Sequence, residues 1–377
     1  MVSIASMCNV RQGCNTQCRG CAHRLLSQQQ SLEQKQGFVE RVLASWVEKI
    51  HPIVSVNDEK RWRYRTSVTL SAEWTGTAWQ FGTKSMDDVI PIHECPVHHP
   101  LVNKTVSILS SSLPASNTLP LAFLVLSKAQ CTLVVKHKPM SEHSWFNAEL
   151  YQQLSSIGIE GFWVHYNPSA GRRLFEKGGW VQLFGNKFSI DKLGLAYGPT
   201  AFQQQIPKLY LQTLTLSTKF LKPDLNTAVV DLYCGTGTSL TYWLKSGSRA
   251  IGVETGAEAV ECANRNAPMA TVLRGSCRLR VPQLAAWVNE NRNDGKRIVL
   301  YANPPRTGIE AEVLQWIAFG ARPERIAYLS CSPGTLSKNI SYLVSHGYLV
   351  EALYPFDFFP NTYHVECLAL LKLQLEP

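Results

Sequence analysis

The 377-residue chain has no apolar run long enough to cross a bilayer. Its longest strongly apolar stretch, residues 119–126, falls far short of the ~20 residues that a membrane-spanning helix needs. The N-terminus lacks a charged start followed by a long apolar stretch, so no signal peptide is recognisable and a cytosolic location is expected. No internal repeat is present. Charged residues make up only 17 % of the chain against 45 % hydrophobic, which is ordinary for a folded globular protein. Residues 105–190 contain no constellation of side chains suited to catalysis. Residues 1–25 are polar and aperiodic, cannot form a core unaided, and must be cross-linked by something.

What the chain does have begins with charge. A net charge of +9 attracts a polyanion, and nucleic acid is the usual one. Eleven cysteines are many for a compartment that disfavours disulfides, so clustered ones there point to metal binding or chemistry. Cys8, Cys14, Cys18 and Cys21 are such a cluster; Cys95, Cys131, Cys234, Cys262, Cys277, Cys331 and Cys367 are scattered.

The length suits two or three domains. Residues 26–50 read as a helix with Phe38, Val39, Val42, Leu43 and Trp46 on one face. Residues 60–70 alternate like a strand, placing Arg61, Arg63 and Arg65 on one face as a candidate RNA grip, or simply a solvated face. Residues 105–190 read as a mixed α/β insert. From about 190 onward, apolar runs at 228–233, 249–254, 297–303 and 325–331 alternate with helical stretches. That rhythm predicts an open, mostly parallel α/β sheet, in which ligands bind beyond the carboxyl ends of the strands.

Two groups of motifs fall at those strand ends. Asp231-Leu-Tyr-Cys-Gly-Thr-Gly-Thr238 joins a strand to a helix, and Glu254 closes the next strand about twenty residues later. Glycines allow a sharp turn close to a ligand, and a strand-ending carboxylate suits the ribose hydroxyls of a nucleoside cofactor. The third glycine of a dinucleotide fingerprint is missing, which favours S-adenosylmethionine over a pyrophosphate-bearing cofactor. Further on, Asn303-Pro-Pro-Arg306 and Ser330-Cys-Ser-Pro-Gly-Thr335 follow successive strands, and His364-Val-Glu366 opens a last strand-like run. A helix N-terminus and Arg306 near Cys331 are expected to lower the thiol pKa toward thiolate. A thiolate with a carboxylate is what methylation of uracil carbon 5 requires. Sulfur adds to carbon 6, carbon 5 becomes nucleophilic, and a base later removes the carbon-5 proton. Cys331 is the candidate nucleophile and Glu366 the candidate base. Cys234, Cys262, Cys277 and Cys367 read as small buried hydrophobes.

Residues 231–238, 303–306, 330–335 and Phe358-Phe-Pro-Asn-Thr-Tyr-His-Val-Glu366, in this order, resemble the bacterial RNA uridine-C5 methyltransferases, which include tRNA and 23S rRNA enzymes. Pro199-Thr-Ala-Phe-Gln-Gln204 is similar to that family's Pro-x-x-Phe-x-Gln element. The resemblance implies a Rossmann-like S-adenosylmethionine methyltransferase domain over residues 191–377, with Gln204, Tyr233, Thr238, Glu254 and Asn303 about the cofactor. It implies a central α/β RNA-binding domain over 101–190 and an N-terminal iron–sulfur region over 1–100. Asn303 stands where many members carry Asp, and Cys331-Ser-Pro333 where Cys-Asn-Pro is common. Ser276 stands where an acidic residue near the adenine is expected, and nothing carries over there.

The family's rRNA members hold a [4Fe–4S] cluster through four cysteines. Cys18, Cys21 and Cys95 match three of them. The fourth is Cys8 or Cys14, with Cys8 taken first, and zinc is the alternative metal. The chain's length and the lack of a small β-barrel before Cys8 are similar to the shorter 23S rRNA enzymes, so 23S rRNA is the expected partner, tRNA the alternative, and a monomer without membrane association the expected state. Two other readings compete: an amino-group methyltransferase of the Asn-Pro-Pro type, disfavoured by Arg306 in place of an aromatic residue, and a non-catalytic iron–sulfur RNA-binding protein, disfavoured by the pairing of Cys331 with Glu366.

Overall fold

The computed structural model describes residues 10–85, 88–140, 142–171 and 173–374. Among them no helix is long and apolar enough to cross a membrane. The chain forms two compact units, one from the residues up to Leu25 with Asn57–Gln205, the other from Leu26–Val56 with Ile206 onward.

The first unit is built on a seven-stranded sheet. Its strands are Ser67–Trp74 (β1), Trp79–Ser85 (β2), Asp88–Pro91 (β3), Leu121–Ser127 (β4), Gln130–Val135 (β5), Gly161–Tyr166 (β6) and Trp180–Gly185 (β7), in the order β3-β2-β1-β4-β5-β6-β7. All neighbours are antiparallel except β5 and β6. Helices Pro100–Ser112 (α2) and Ala148–Ser156 (α3) bury Val102, Val106, Leu109, Leu150 and Leu154 in one cluster with Leu124, Leu133 and Val164 of the sheet. A short hairpin, Ser189–Ile190 (β8) with Ala196–Tyr197 (β9), follows.

Two expectations change here. Residues 60–70 are not one strand: Asp58–Arg61 is a 3-10 turn, Arg63 has φ +54°, and β1 starts only at Ser67. Arg61 is buried and paired with Asp58, so the three arginines form no common face. A boundary at residue 100 also fails, because Ser67–Ser71 of β1 pair with β4 in one sheet, whereas residues 26–56 belong to the second unit.

The second unit carries strands Thr227–Leu232 (β10), Arg249–Glu254 (β11), Thr271–Arg274 (β12), Arg297–Ala302 (β13), Arg325–Ser330 (β14), Tyr348–Phe356 (β15) and Glu366–Leu373 (β16). They are ordered β12-β11-β10-β13-β14-β16-β15, and the first five are parallel. β10 and most of β13 and β14 are buried on both faces, which is why they read as continuous apolar runs. Its helices are Gln28–Val42 (α1), Pro207–Leu221 (α4), Thr238–Leu244 (α5), Ala257–Asn266 (α6), Cys277–Asn293 (α7), Ala311–Gln315 (α8) and Pro333–Val344 (α9). Ala228, Val230 and Leu232 share one apolar cluster with residues of α1, α7, α8 and α9. Val229 and Asp231 therefore face the other side. There Trp243 of α5 donates to Asp231 (2.7 Å) and packs its ring 5.3 Å from that of Tyr301.

Helix α1 starts with a capping box in which Ser27 and Gln30 satisfy each other's backbone. Within its Gln-rich sequence lies Lys35, only 1 % exposed, which pairs with the buried carboxylate of Asp357 and donates to the Phe359 carbonyl (3.1 Å). This anchors the segment between β15 and β16. Removing Lys35 alone leaves Asp357 buried without its counter-charge. Lys35→Ala is expected to cost about 3–5 kcal/mol of stability in denaturant titration, and the paired change Lys35→Met with Asp357→Leu distinctly less.

Candidate active site

The carboxyl ends of β10, β11, β13 and β14 open onto one edge of the sheet. After β10 the chain turns through Tyr233 (φ +61°), Gly235 (φ +54°) and Gly237 (φ +80°) before α5 begins at Thr238. A side chain on Gly237 would start within 3.0 Å of Ala263 on α6, so only glycine permits this turn against that helix. Gly235 is the opposite case: no atom lies within 4 Å of where its side chain would begin, so the backbone faces open space.

Glu254 closes β11 beside this turn. Its carboxylate accepts from the Gly235 amide (3.2 Å), the Gly256 amide (2.8 Å) and the Thr255 hydroxyl (3.0 Å). Two carboxylate oxygens offer about four acceptor positions, so capacity remains for a ligand hydroxyl. Asn303 follows β13 and its amide donates to the Leu232 carbonyl (3.2 Å). The open space at Gly235, the strand-ending carboxylate and half-buried Tyr233, Thr238 and Asn303 fit a nucleoside-bearing cofactor such as S-adenosylmethionine. Burial pushes the Asp231 carboxyl up to about 7. It also raises the Tyr233 phenol, which donates to Glu310. Ser276 caps α7 by accepting from the Leu279 amide (3.3 Å). Gln204 is half-buried in the first unit, whereas the other four expected cofactor residues belong to the second.

The reacting half comes from the neighbouring strands. β16 runs antiparallel to β14 with Ser330 opposite Cys367. Cys331 and Glu366 are the residues next to that last pair, and Glu366 is paired with Phe356 of β15. Glu366 is buried and Cys331 half-buried. Thr335 of α9 donates to the Arg306 carbonyl (3.1 Å). Asn339 accepts from the Ile309 amide (3.1 Å) and the Tyr328 hydroxyl (2.8 Å). The 303–309 loop is thereby tied to the strand and helix that flank Cys331.

The thiol does not behave as its placement suggests. Burial raises the Cys331 pKa, the Glu366 carboxylate raises it further, and Arg306 only partly opposes them. The expectation of a lowered pKa is corrected: Arg306 does act in that direction, but desolvation of the thiolate and a facing carboxylate outweigh it.

In the first unit Cys14, Cys18, Cys21 and Cys95 line one recess with Trp62 and Ile92. Burial raises Cys21 to about 11, with further contributions from Cys95, Cys18 and Cys14, as adjoining thiols require. Among the described residues no three His, Cys, Asp or Glu side chains converge tightly enough for a single metal ion. Four soft thiols around a shared recess suit a larger iron–sulfur group by donor type. Cys8 lies outside the described residues; Cys14 stands in the recess.

A mostly parallel sheet with a glycine turn after its first strand and a carboxylate after its second is the arrangement of nucleoside-cofactor folds, S-adenosylmethionine-dependent methyltransferases among them. Residues 27–374 match the model of the tRNA (uracil-5-)-methyltransferase family, and the chain belongs to that family. It is an S-adenosylmethionine-dependent RNA methyltransferase. Over 95 % of its length and 76 % of the relative's, it is 26 % identical to an uncharacterized RNA methyltransferase of Geobacter sulfurreducens. One of Protochlamydia amoebophila is 28 % identical over 94 % of this chain and 81 % of its own. The Pyrococcus abyssi tRNA (uracil-54, C5)-methyltransferase, solved with S-adenosyl-L-homocysteine, shares the fold: TM-score 0.68, 20 % identity, covering 94 % of this chain and 86 % of that one.

Sequence reading missed Lys35, Asn339 and Glu310. None sits in a recognisable spacing, and Lys35 and Asn339 gain their partners only through folding.

The electrostatics around Cys331 yield a direct test. In Glu366→Gln the pH midpoint for alkylation of Cys331, followed by mass spectrometry of its peptide, is expected to fall. In Arg306→Ala it is expected to rise. Equal midpoints in all three proteins would mean that neither charge acts on the thiol.

Proposed function

We propose that this enzyme methylates carbon 5 of a uridine in RNA, with 23S rRNA as the substrate class, through a covalent adduct between Cys331 and carbon 6. The observation that carries this reading is the end of the β14–β16 ladder, where Ser330 pairs with Cys367, so that Cys331 and the buried Glu366 are the next residues on the two strands at the sheet's carboxyl edge. A transfer to an amino group needs no thiol there, and a binding module needs neither group.

S-adenosylmethionine supplies an electrophilic methyl group, and Tyr233, Thr238, Glu254 and Asn303 would hold it. Cys331 starts as a thiol, so its proton must pass to solvent before attack, with Arg306 the positive charge that favours the thiolate; Glu366 stays a carboxylate for the later proton removal. The sulfur then bonds to uracil carbon 6, and the electron pair of the 5,6-double bond moves toward the carbon-4 carbonyl. Carbon 5 becomes nucleophilic and takes the methyl group. Glu366 removes the proton left on carbon 5, the double bond re-forms and the Cys331 thiolate departs. A base within duplex RNA cannot reach the sulfur, so the target is unpaired or flipped.

A [4Fe–4S] cluster would be held by Cys18, Cys21 and Cys95 with Cys14, which stands in the same recess, taking the place first given to Cys8, and would cross-link a segment with few buried residues. Zinc is the weaker reading, because its ligands converge at ~2.3 Å on one ion.

Nucleosides from 23S rRNA of a strain lacking the protein should lose one 5-methyluridine. Wild type should restore it and Cys331→Ala should not. Unchanged 5-methyluridine throughout would reject rRNA, and restoration by Cys331→Ala would reject the covalent route. Protein purified without oxygen should carry iron and acid-labile sulfide, both lost in Cys14→Ser; zinc in their place would overturn the cluster.

A further inference from the structure

Residues 359–366 are an anchored turn. The Thr362 hydroxyl donates to the Phe359 carbonyl (2.8 Å) and accepts from the His364 amide (3.1 Å). Pro360, Asn361, Thr362, Val365 and Glu366 are all buried. Tyr363 breaks the pattern: its side chain is 61 % exposed, on a backbone whose neighbours on both sides are fixed. The exposed ring is not isolated. Its centroid lies 4.3 Å from that of His364, tilted by 45°. His364 in turn accepts from the Arg306 guanidinium (3.1 Å). Arg306 acts electrostatically on Cys331. Guanidinium, imidazole and phenol thus stand in succession, on a turn three residues before Glu366 and a loop tied to the helix that follows Cys331, and end at a largely exposed aromatic ring.

A tyrosine on a backbone fixed at both neighbours presents its ring to solvent at little further ordering cost. Unpaired nucleobases, in contrast, stack on aromatic rings and on guanidinium planes, and a preset ring loses little freedom in doing so. We propose that Tyr363, backed by His364 and Arg306, is a stacking platform for the unpaired base next to the target uridine. This rests on the RNA-methylating reading above. A planar surface beside the thiol sets which single-stranded context presents its uridine well, so Tyr363 is a specificity-determining residue. The contact is apolar and planar, not ionic, and does not engage phosphate.

The test is equilibrium binding of a short single-stranded oligoribonucleotide with one uridine and 2-aminopurine as its neighbour, using the full-length protein. Tyr363→Ala and Tyr363→Leu are expected to bind about ten-fold or more weakly and to lose the quenching of 2-aminopurine. Tyr363→Phe should match wild type, and the slope of log affinity on log salt should be the same in all four, since no phosphate contact is removed. Binding by Tyr363→Ala within two-fold of wild type overturns the platform. So does a loss shared equally by Tyr363→Phe, which would make the hydroxyl the contact, or a flatter salt dependence. No binding by wild type overturns it as well. Methylation of the same oligonucleotide separates the two readings: Tyr363-dependent binding without 5-methyluridine rejects the proposed reaction alone, and methylation with Tyr363-independent binding rejects the platform alone.

Discussion

The chemistry of the second unit hangs on one reversal of strand direction. Five parallel strands deliver their loops to a single edge, but a parallel neighbour of β14 would begin at the opposite edge and take its first residues away from Cys331. β16 instead runs antiparallel, so its first residue stands where β14 ends. Because β16 lies between β14 and β15, it is also held from both sides along its length. The carboxylate of Glu366 is therefore fixed by backbone pairing and needs no long flexible side chain to reach the thiol.

That fixity has an electrostatic consequence. A buried carboxylate close to a thiol holds the proton on sulfur, and Arg306, being exposed, is screened by water and only partly offsets it. Burial and the facing carboxylate thus favour the thiol form of Cys331 over the thiolate. This suits a residue half open to solvent in a cell that contains oxidants and electrophiles, since reactivity follows thiolate character.

Much of the second unit was legible because its signals are local. Buried parallel strands leave unbroken apolar runs, and the stretch 249–254 matches its strand end for end. Glycine turns and strand-ending acids sit within a few residues of those runs. The failures are non-local. The alternation of Arg61, Trp62, Arg63, Tyr64 and Arg65 mimics a strand, yet burial of Arg61 against Asp58 and the left-handed Arg63 break it. Lys35 reads as the solvent face of a Gln-rich helix because its partner lies 322 residues away. The central boundary was drawn at residue 100 because nothing local announces that β1 and β4 share a sheet. The lowered thiol pKa was inferred from two favourable neighbours, without the burial and the facing carboxylate that only the fold supplies.

The segment between β15 and β16 joins these themes. Its inner side is committed: Lys35 holds Asp357 and the Phe359 carbonyl, and the aromatic rings of Phe356 and Phe358 pack 5.9 Å apart in the core. A segment held so firmly cannot adjust when RNA arrives, so whatever it shows to solvent is preorganised. It shows Tyr363. Residues held from within by a distant helix and presented outward beside the reacting groups convert folding stability into recognition. A weaker anchor at Lys35 would then cost more than stability: it would loosen the position of Glu366 and of the exposed ring together.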